Sequence, residues 1–256
     1  MIKHKILFSF VILFLINIPA LIAQKQNLHV IYIGDSITQG AGLGDAAVQA
    51  PPVIASAWLQ KQTEIGTVDF SNQGHSGFTT VDFSPGGVSF TQVEQAANIF
   101  SGKTGSLVFT IMLGTNDSAI KGPNGAPVAP EAYYNNLKTI IDRLVKDYPD
   151  CKVIIQQPVW YSPNTYNGSK YLQEGLDRLQ SYFPEIKRVV NSYAKTGKER
   201  VFLGDTQAFD YFKKNYETGL QAENGRQGIF HLHPNEAGAE ALGIFWAKTI
   251  YKIINK

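Results

Sequence analysis

The stretch His29-Val-Ile-Tyr-Ile-Gly-Asp-Ser36, continued by Ile37-Thr-Gln-Gly40, decides how the rest of the chain is read. His29–Ile33 reads as a short strand, and Gly34-Asp-Ser36 follows it at once, where a strand would turn into a helix. A serine at such a turn can project its hydroxyl outward, while flanking glycines permit the tight backbone. Its N–H can also point at a developing oxyanion. The pattern is not the G-x-S-x-G elbow, because the residue two after Ser36 is Thr38. Taken alone, Ser36 reads better as a helix N-cap than as a nucleophile. A nucleotide loop fits less well: Gly40, Gly42 and Gly44 have the wrong spacing for the dinucleotide fingerprint, although Asp69 could imitate its acid, and no Walker lysine follows.

Working outward, β-like runs alternate with longer helical patterns. The strand candidates are His29–Ile33, Thr67–Phe70, Ser106–Met112, Val153–Gln156 and Arg200–Leu203. Apolar-periodic stretches lie near Ile54–Gln62, Val93–Phe100, Pro130–Lys146, Leu172–Tyr193 and Asn235–Ile254. This alternation predicts an α/β fold with a parallel sheet and right-handed crossovers. Pro130 suits a first helical turn and Asn235 an N-cap. Ser84–Ser89, Lys121–Val128 and Trp160–Lys170 are too rich in Gly, Pro, Asn and Ser to be regular. In a doubly wound sheet the loops after the strand C-termini build the site.

At 256 residues, 44% hydrophobic and 17% charged, the chain can hold one packed domain. Residues 1–23 begin with Lys3, His4 and Lys5, continue with an apolar run to Ala23, and turn polar at Gln24. That order predicts a signal peptide, with residues 24–256 as the mature domain and a secreted or periplasmic location. Ala23 suits the residue before the cut and Leu21 does not suit its place; the other reading is an uncleaved anchor. Without residues 1–23 the formal charge is zero, so nothing suggests capture of nucleic acid or of an anionic membrane. Cys151, the one cysteine, reads as a half-buried thiol.

Three further segments carry chemistry. Asn72-Gln-Gly-His-Ser-Gly-Phe-Thr79 offers exposed amides after the second strand. Leu113-Gly-Thr-Asn-Asp117 follows the third, and the Asn116 side chain can donate to an oxyanion without titrating; its plain reading is an Asx turn. Phe230-His-Leu-His-Pro-Asn235 leads into the last helix and holds His233 where a general base could sit. His231 and His233 are two apart, but no H-E-x-x-H pattern or nearby cysteine supports a metal, and none is expected.

In order and spacing, these four segments resemble the conserved blocks of the SGNH (GDSL-type) hydrolase family, from Gly34 to Gly238. The resemblance implies a flavodoxin-like three-layer α/β/α sandwich with a central parallel sheet, and a serine esterase that needs no cofactor. It implies Ser36 as nucleophile and His233 as base, with Ser36, Gly77 and Asn116 forming the oxyanion hole. Asp35, Trp160 and Tyr161 are the further candidates for substrate contact, the last two because aromatic faces stack on sugar rings. The chain departs from the family at Phe230, where an aspartate three residues before the histidine is usual. Either a backbone carbonyl or a carboxylate from elsewhere orients His233, with Glu223 and Asp205 as distant candidates, or the chain is a weak homologue. The expected substrate is a small-molecule or glycan ester, carrying an O-acetyl group above all. A lipase or lysophospholipase and a non-catalytic glycan-binding module are the alternatives.

Overall fold

The computed structural model describes residues 25–195 and 199–255; the expected signal peptide, residues 1–23, lies outside them. The chain opens with strand β1 (Gln26–Gly34), then short helices α1 (Ser36–Gln39) and α2 (Ala46–Gln49), and α3 (Pro51–Gln60). Next come β2 (Ile65–Gly74), α4 (Val88–Ser101), β3 (Ser106–Met112), α5 (Pro130–Asp147), β4 (Lys152–Ile155) and α6 (Leu172–Ala194). After β5 (Val201–Leu203), helices α7 (Ala208–Lys214) and α8 (Tyr216–Gly219) precede a hairpin of β6 (Glu223–Gly225) and β7 (Gly228–Phe230). Helix α9 (Glu236–Ile254) closes the chain.

Strands β2-β1-β3-β4-β5 form one sheet in that order, and every pairing is parallel. This is the flavodoxin-like order, whose reversal at the β1/β3 boundary opens a crevice at the strand C-termini. Side-chain alternation on β1 assigns the two helical layers. Tyr32 stacks on Trp246 of α9, with ring centroids 6.0 Å apart, and bonds Ser56 of α3 at 3.1 Å. Its neighbour Ile31 points to the opposite face, in register with Phe109, which packs on Tyr148 just after α5. His29, on the Ile31 face, stacks on Phe100 of α4. Both faces are therefore covered, and β1 is buried from Leu28 onward, as parallel strands must be.

The expected strands and helices are all present, with shifted ends. The main difference is β2, which runs on to Gly74 instead of stopping at Phe70, because its backbone stays paired with β1 as far as Gly34↔Gly74. Polar Asn72 and Gln73 are thus strand residues held by the ladder rather than by burial. Asn235 caps α9, its side chain accepting the Gly238 N–H at 3.0 Å. Cys151 is buried rather than half-buried, and desolvation pushes its thiol up to about 12. Among the described residues no helix is long and apolar enough to cross a membrane.

Candidate active site

Ser36 is the first residue of α1, directly beyond the C-terminus of β1. Asp35 is the N-cap, and its Oδ1 accepts the Ile37 N–H at 2.9 Å. Gly34 makes the tight turn possible: a Cβ there would collide with the Thr38 side chain and lie 2.9 Å from the Met112 carbonyl. Asp35 is fully buried, and desolvation pushes its carboxyl up to about 6. It caps the helix that Ser36 opens and has no surface for a substrate, which corrects its expected contact role.

His233 reaches Ser36 from the far end of the sequence. Its Nε2 lies 2.9 Å from Ser36 Oγ, while Nδ1 lies 3.0 Å from both carboxylate oxygens of Glu223. A carboxylate only accepts, so Nδ1 carries the proton and Nε2 is left free to take one from Ser36. Glu223 also accepts the His233 backbone N–H at 3.1 Å, so both histidine donors end on one side chain. Glu223 thus places a carboxylate against His233 Nδ1, although position 230 carries none. The hairpin explains how: Glu223 on β6 is the cross-strand partner of Phe230 on β7. Phe230 is turned into the core, 1% exposed, where a carboxylate would lie buried without a partner. Asp205, the other candidate, is committed elsewhere; its carboxylate accepts the Gln207 and Ala208 N–H groups at the start of α7.

One residue unremarked in the sequence ties the two halves together. The Gln221 N–H donates to the His233 carbonyl at 2.8 Å. Its Nε2 donates to Pro234 O at 2.9 Å and to Ala41 O at 3.2 Å. Ala41 in turn donates to the Ser36 carbonyl at 2.9 Å.

The opposite wall comes from the loops after β2 and β3. Gly77 has φ +81°, the left-handed region that glycine enters without strain, and no atom stands within 4 Å of where a Cβ would be. Its loop is stitched to α1 through Gln39, whose Oε1 accepts the Ser76 N–H at 2.9 Å. Asn116 donates from Nδ2 to Phe78 O at 2.9 Å. Asp117 accepts the Thr80 N–H at 3.0 Å and the Thr80 hydroxyl. Asn116 and Asp117 together grip the residues just after Gly77. Burial pushes Asp117 up to about 7, with the nearby Asp35 charge adding to the rise. Asn116-Asp-Ser118 also has the Asn-x-Ser pattern of a glycosylation site, but Asn116 is buried and not accessible for attachment of a sugar.

The loop Trp160–Lys170 is irregular, but its aromatic rings face inward. Tyr161 is fully buried, with its hydroxyl 2.9 Å from Ser118 Oγ. It has no free face for a sugar, which corrects the expectation of stacking there. Trp160 is 7% exposed and packs on Tyr216 at 5.5 Å. Its remaining edge borders a cavity of about 340 Å³ that also touches Ser162, Pro163, Tyr216, Ile229 and His231. His231 meets the Tyr216 ring edge-on at 4.9 Å and takes no part in the Ser36–His233–Glu223 chain.

A hydroxyl, an imidazole and a carboxylate in series can take a proton from the hydroxyl and store it while the oxygen attacks a carbonyl. The family described as GDSL-like lipase/acylhydrolase matches residues 32–241. A search of curated proteins returned no match. Among solved structures, LAE5, an α/β hydrolase enzyme from the metagenome of Lake Arreo, Spain, is 23% identical, with 89% of this chain and 95% of that one covered and a TM-score of 0.57. The Clostridium thermocellum family 3 carbohydrate esterase is 18% identical, covering 90% and 98%, with a TM-score of 0.59. Est24, a carbohydrate acetylesterase from Sinorhizobium meliloti, is 18% identical, covering 88% and 99%, with a TM-score of 0.58. At these identities the structural likeness concerns the fold. The family match, however, takes in all four site segments from the end of β1 to the first turns of α9, so the chain belongs to the GDSL-like lipase/acylhydrolase family and is a carboxylic ester hydrolase.

Proposed function

We propose that the protein is an exported serine esterase that removes short acyl groups, O-acetyl above all, from carbohydrates. The observation that carries the mechanism is the unbroken chain from Ser36 Oγ through His233 to Glu223. Ser36 Oγ attacks the ester carbonyl carbon while His233 Nε2 takes its proton. The carbonyl electron pair moves onto oxygen, and the Ser36 N–H, the Gly77 N–H and the Asn116 side chain hold the resulting oxyanion. Collapse expels the alcohol, which His233 protonates. Water, deprotonated by His233, then releases the acid from Ser36. Glu223 holds the imidazole and balances its charge in both steps, and no cofactor takes part.

The carbohydrate reading is supported by the carbohydrate esterase and the carbohydrate acetylesterase among the structural neighbours and by the cavity beside Trp160. Export rests on the charge-then-apolar order of residues 1–23. The test compares p-nitrophenyl acetate, p-nitrophenyl octanoate and acetylated xylan as substrates. The acetyl esters should be cleaved in preference, and Ser36→Ala should lower kcat by about 10³-fold or more. Preference for octanoate would transfer the function to a lipase. Retention of acetylated xylan without hydrolysis would make it a glycan-binding protein.

A further inference from the structure

The network around Asn116 fixes more than its position. Amide oxygen and nitrogen have nearly the same shape, so which end faces the substrate is set by hydrogen-bond partners. Phe78 O is a carbonyl and can only accept, so Nδ2 must face it. Oδ1 then faces the hydroxyl of Tyr171, 2.7 Å away, and that hydroxyl must donate. Nδ2 carries two hydrogens; one goes to Phe78 O and the second is left for a ligand oxygen.

Tyr171 is itself held without slack. It is 3% exposed, and its ring packs edge-on against Tyr161 at 5.4 Å. Its N–H and that of Leu172 both donate to Thr165 O at 3.2 Å. Leu172 has φ +56°, the one positive φ outside glycine among the described residues. A leucine adopts that conformation only where its surroundings impose it. The strained residue stands where the irregular loop becomes α6, immediately beside the tyrosine that touches Asn116.

We propose that Tyr171 is a positioning residue for ester hydrolysis, its hydroxyl fixing and polarising the Asn116 amide so that the second Nδ2 hydrogen meets the oxyanion. This rests on the mechanism proposed above. Donation to Oδ1 draws electron density from the amide and makes its N–H a stronger donor. The loop after β4 thus acts through the amide of the loop after β3.

The test is a double-mutant cycle on p-nitrophenyl acetate with Tyr171→Phe, Asn116→Ala and the double variant. Tyr171→Phe keeps the ring packing and removes only the hydroxyl. It should lower kcat roughly tenfold with KM changed by less than about twofold. In the Asn116→Ala background, already slowed about 10²–10³-fold, the same change should add less than about twofold. Tyr32→Phe, which removes an equally buried hydroxyl bonded to Ser56, should lower the melting temperature and leave kcat intact. An unchanged kcat in Tyr171→Phe overturns the inference, as does an equal loss in both backgrounds. Full activity in Asn116→Ala, or in Ser36→Ala measured alongside, overturns the proposed mechanism and this inference together.

Discussion

Glu223 meets both the Nδ1 proton and the backbone N–H of His233, so in the proposed mechanism its charge matters twice: once for the tautomer and once for the imidazolium. Glu223→Gln keeps the shape but offers an amide where the histidine needs an anion. We expect kcat to fall by about 10²–10⁴-fold with KM little changed, by analogy with the loss of the orienting acid in other serine hydrolases. The complementary change, Phe230→Asp, restores the acid where the family usually carries it. It should give less than a tenfold gain, because Glu223 already occupies the imidazole. It should also destabilise the fold by about 3 kcal/mol or more, since a core ring is replaced by a buried carboxylate. A large gain in kcat would mean that Glu223 does not hold His233 during turnover. The segments that carry Ser36, Gly77, Asn116 and His233 were legible because each is short, local and in a recognisable order. Glu223 was visible only as one of two distant candidates, with Asp205, since its placement depends on strand pairing and not on spacing along the chain.

At the scale of elements, the β6–β7 hairpin is the piece that carries the acid, and three residues a side give it little stability of its own. Gln221 anchors it by bonding Pro234 O and Ala41 O. Gln221→Ala should therefore loosen the base relative to the nucleophile, lowering stability by about 1–3 kcal/mol and kcat by roughly tenfold through misplacement. Thermal melts and kcat on p-nitrophenyl acetate check both; an unaltered kcat would mean the hairpin holds its geometry unaided. The hairpin was not predicted because Glu223-Asn-Gly225 and Gly228-Ile-Phe230 show no hydrophobic alternation. The signal was its turn, Arg226-Gln227 between paired glycines, which sets residue 223 opposite residue 230. The Trp160–Lys170 loop shows the reverse error. Its irregularity was legible, but aromatic content alone does not tell a stacking surface from a core contact. Tyr161 and Tyr171 spend their hydroxyls on Ser118 and Asn116.

For the molecule as a whole, the order of strands and helices was readable because long apolar runs and 3.6-residue periods survive in the sequence. The end of β2 was not, because polar Asn72 and Gln73 are held by pairing with β1. Two buried carboxylates beneath the site have a global consequence. Asp35 is pushed up to about 6 and Asp117 to about 7, against an unfolded value near 4. Between these limits the folded chain binds more protons than the unfolded chain, so their contribution to stability is greatest at low pH. It falls as pH rises through about 4 to 7. Asp117→Asn keeps an acceptor for Thr80 and removes that titration. Its melting temperature should therefore gain on the unaltered protein as pH rises from about 4 to about 7, and level off above that. Parallel curves would show that Asp117 does not titrate in that window.

The whole account turns on Ser36 being an activated nucleophile, and covalent labelling reads that directly. Treat the folded protein with a fluorophosphonate and locate the adduct by peptide mass spectrometry, alongside Ser36→Ala and Glu223→Gln. The expected result is a single adduct on Ser36, none on Ser36→Ala, and labelling slowed in Glu223→Gln. An unlabelled Ser36 in correctly folded protein, or an adduct that persists in Ser36→Ala, would contradict it.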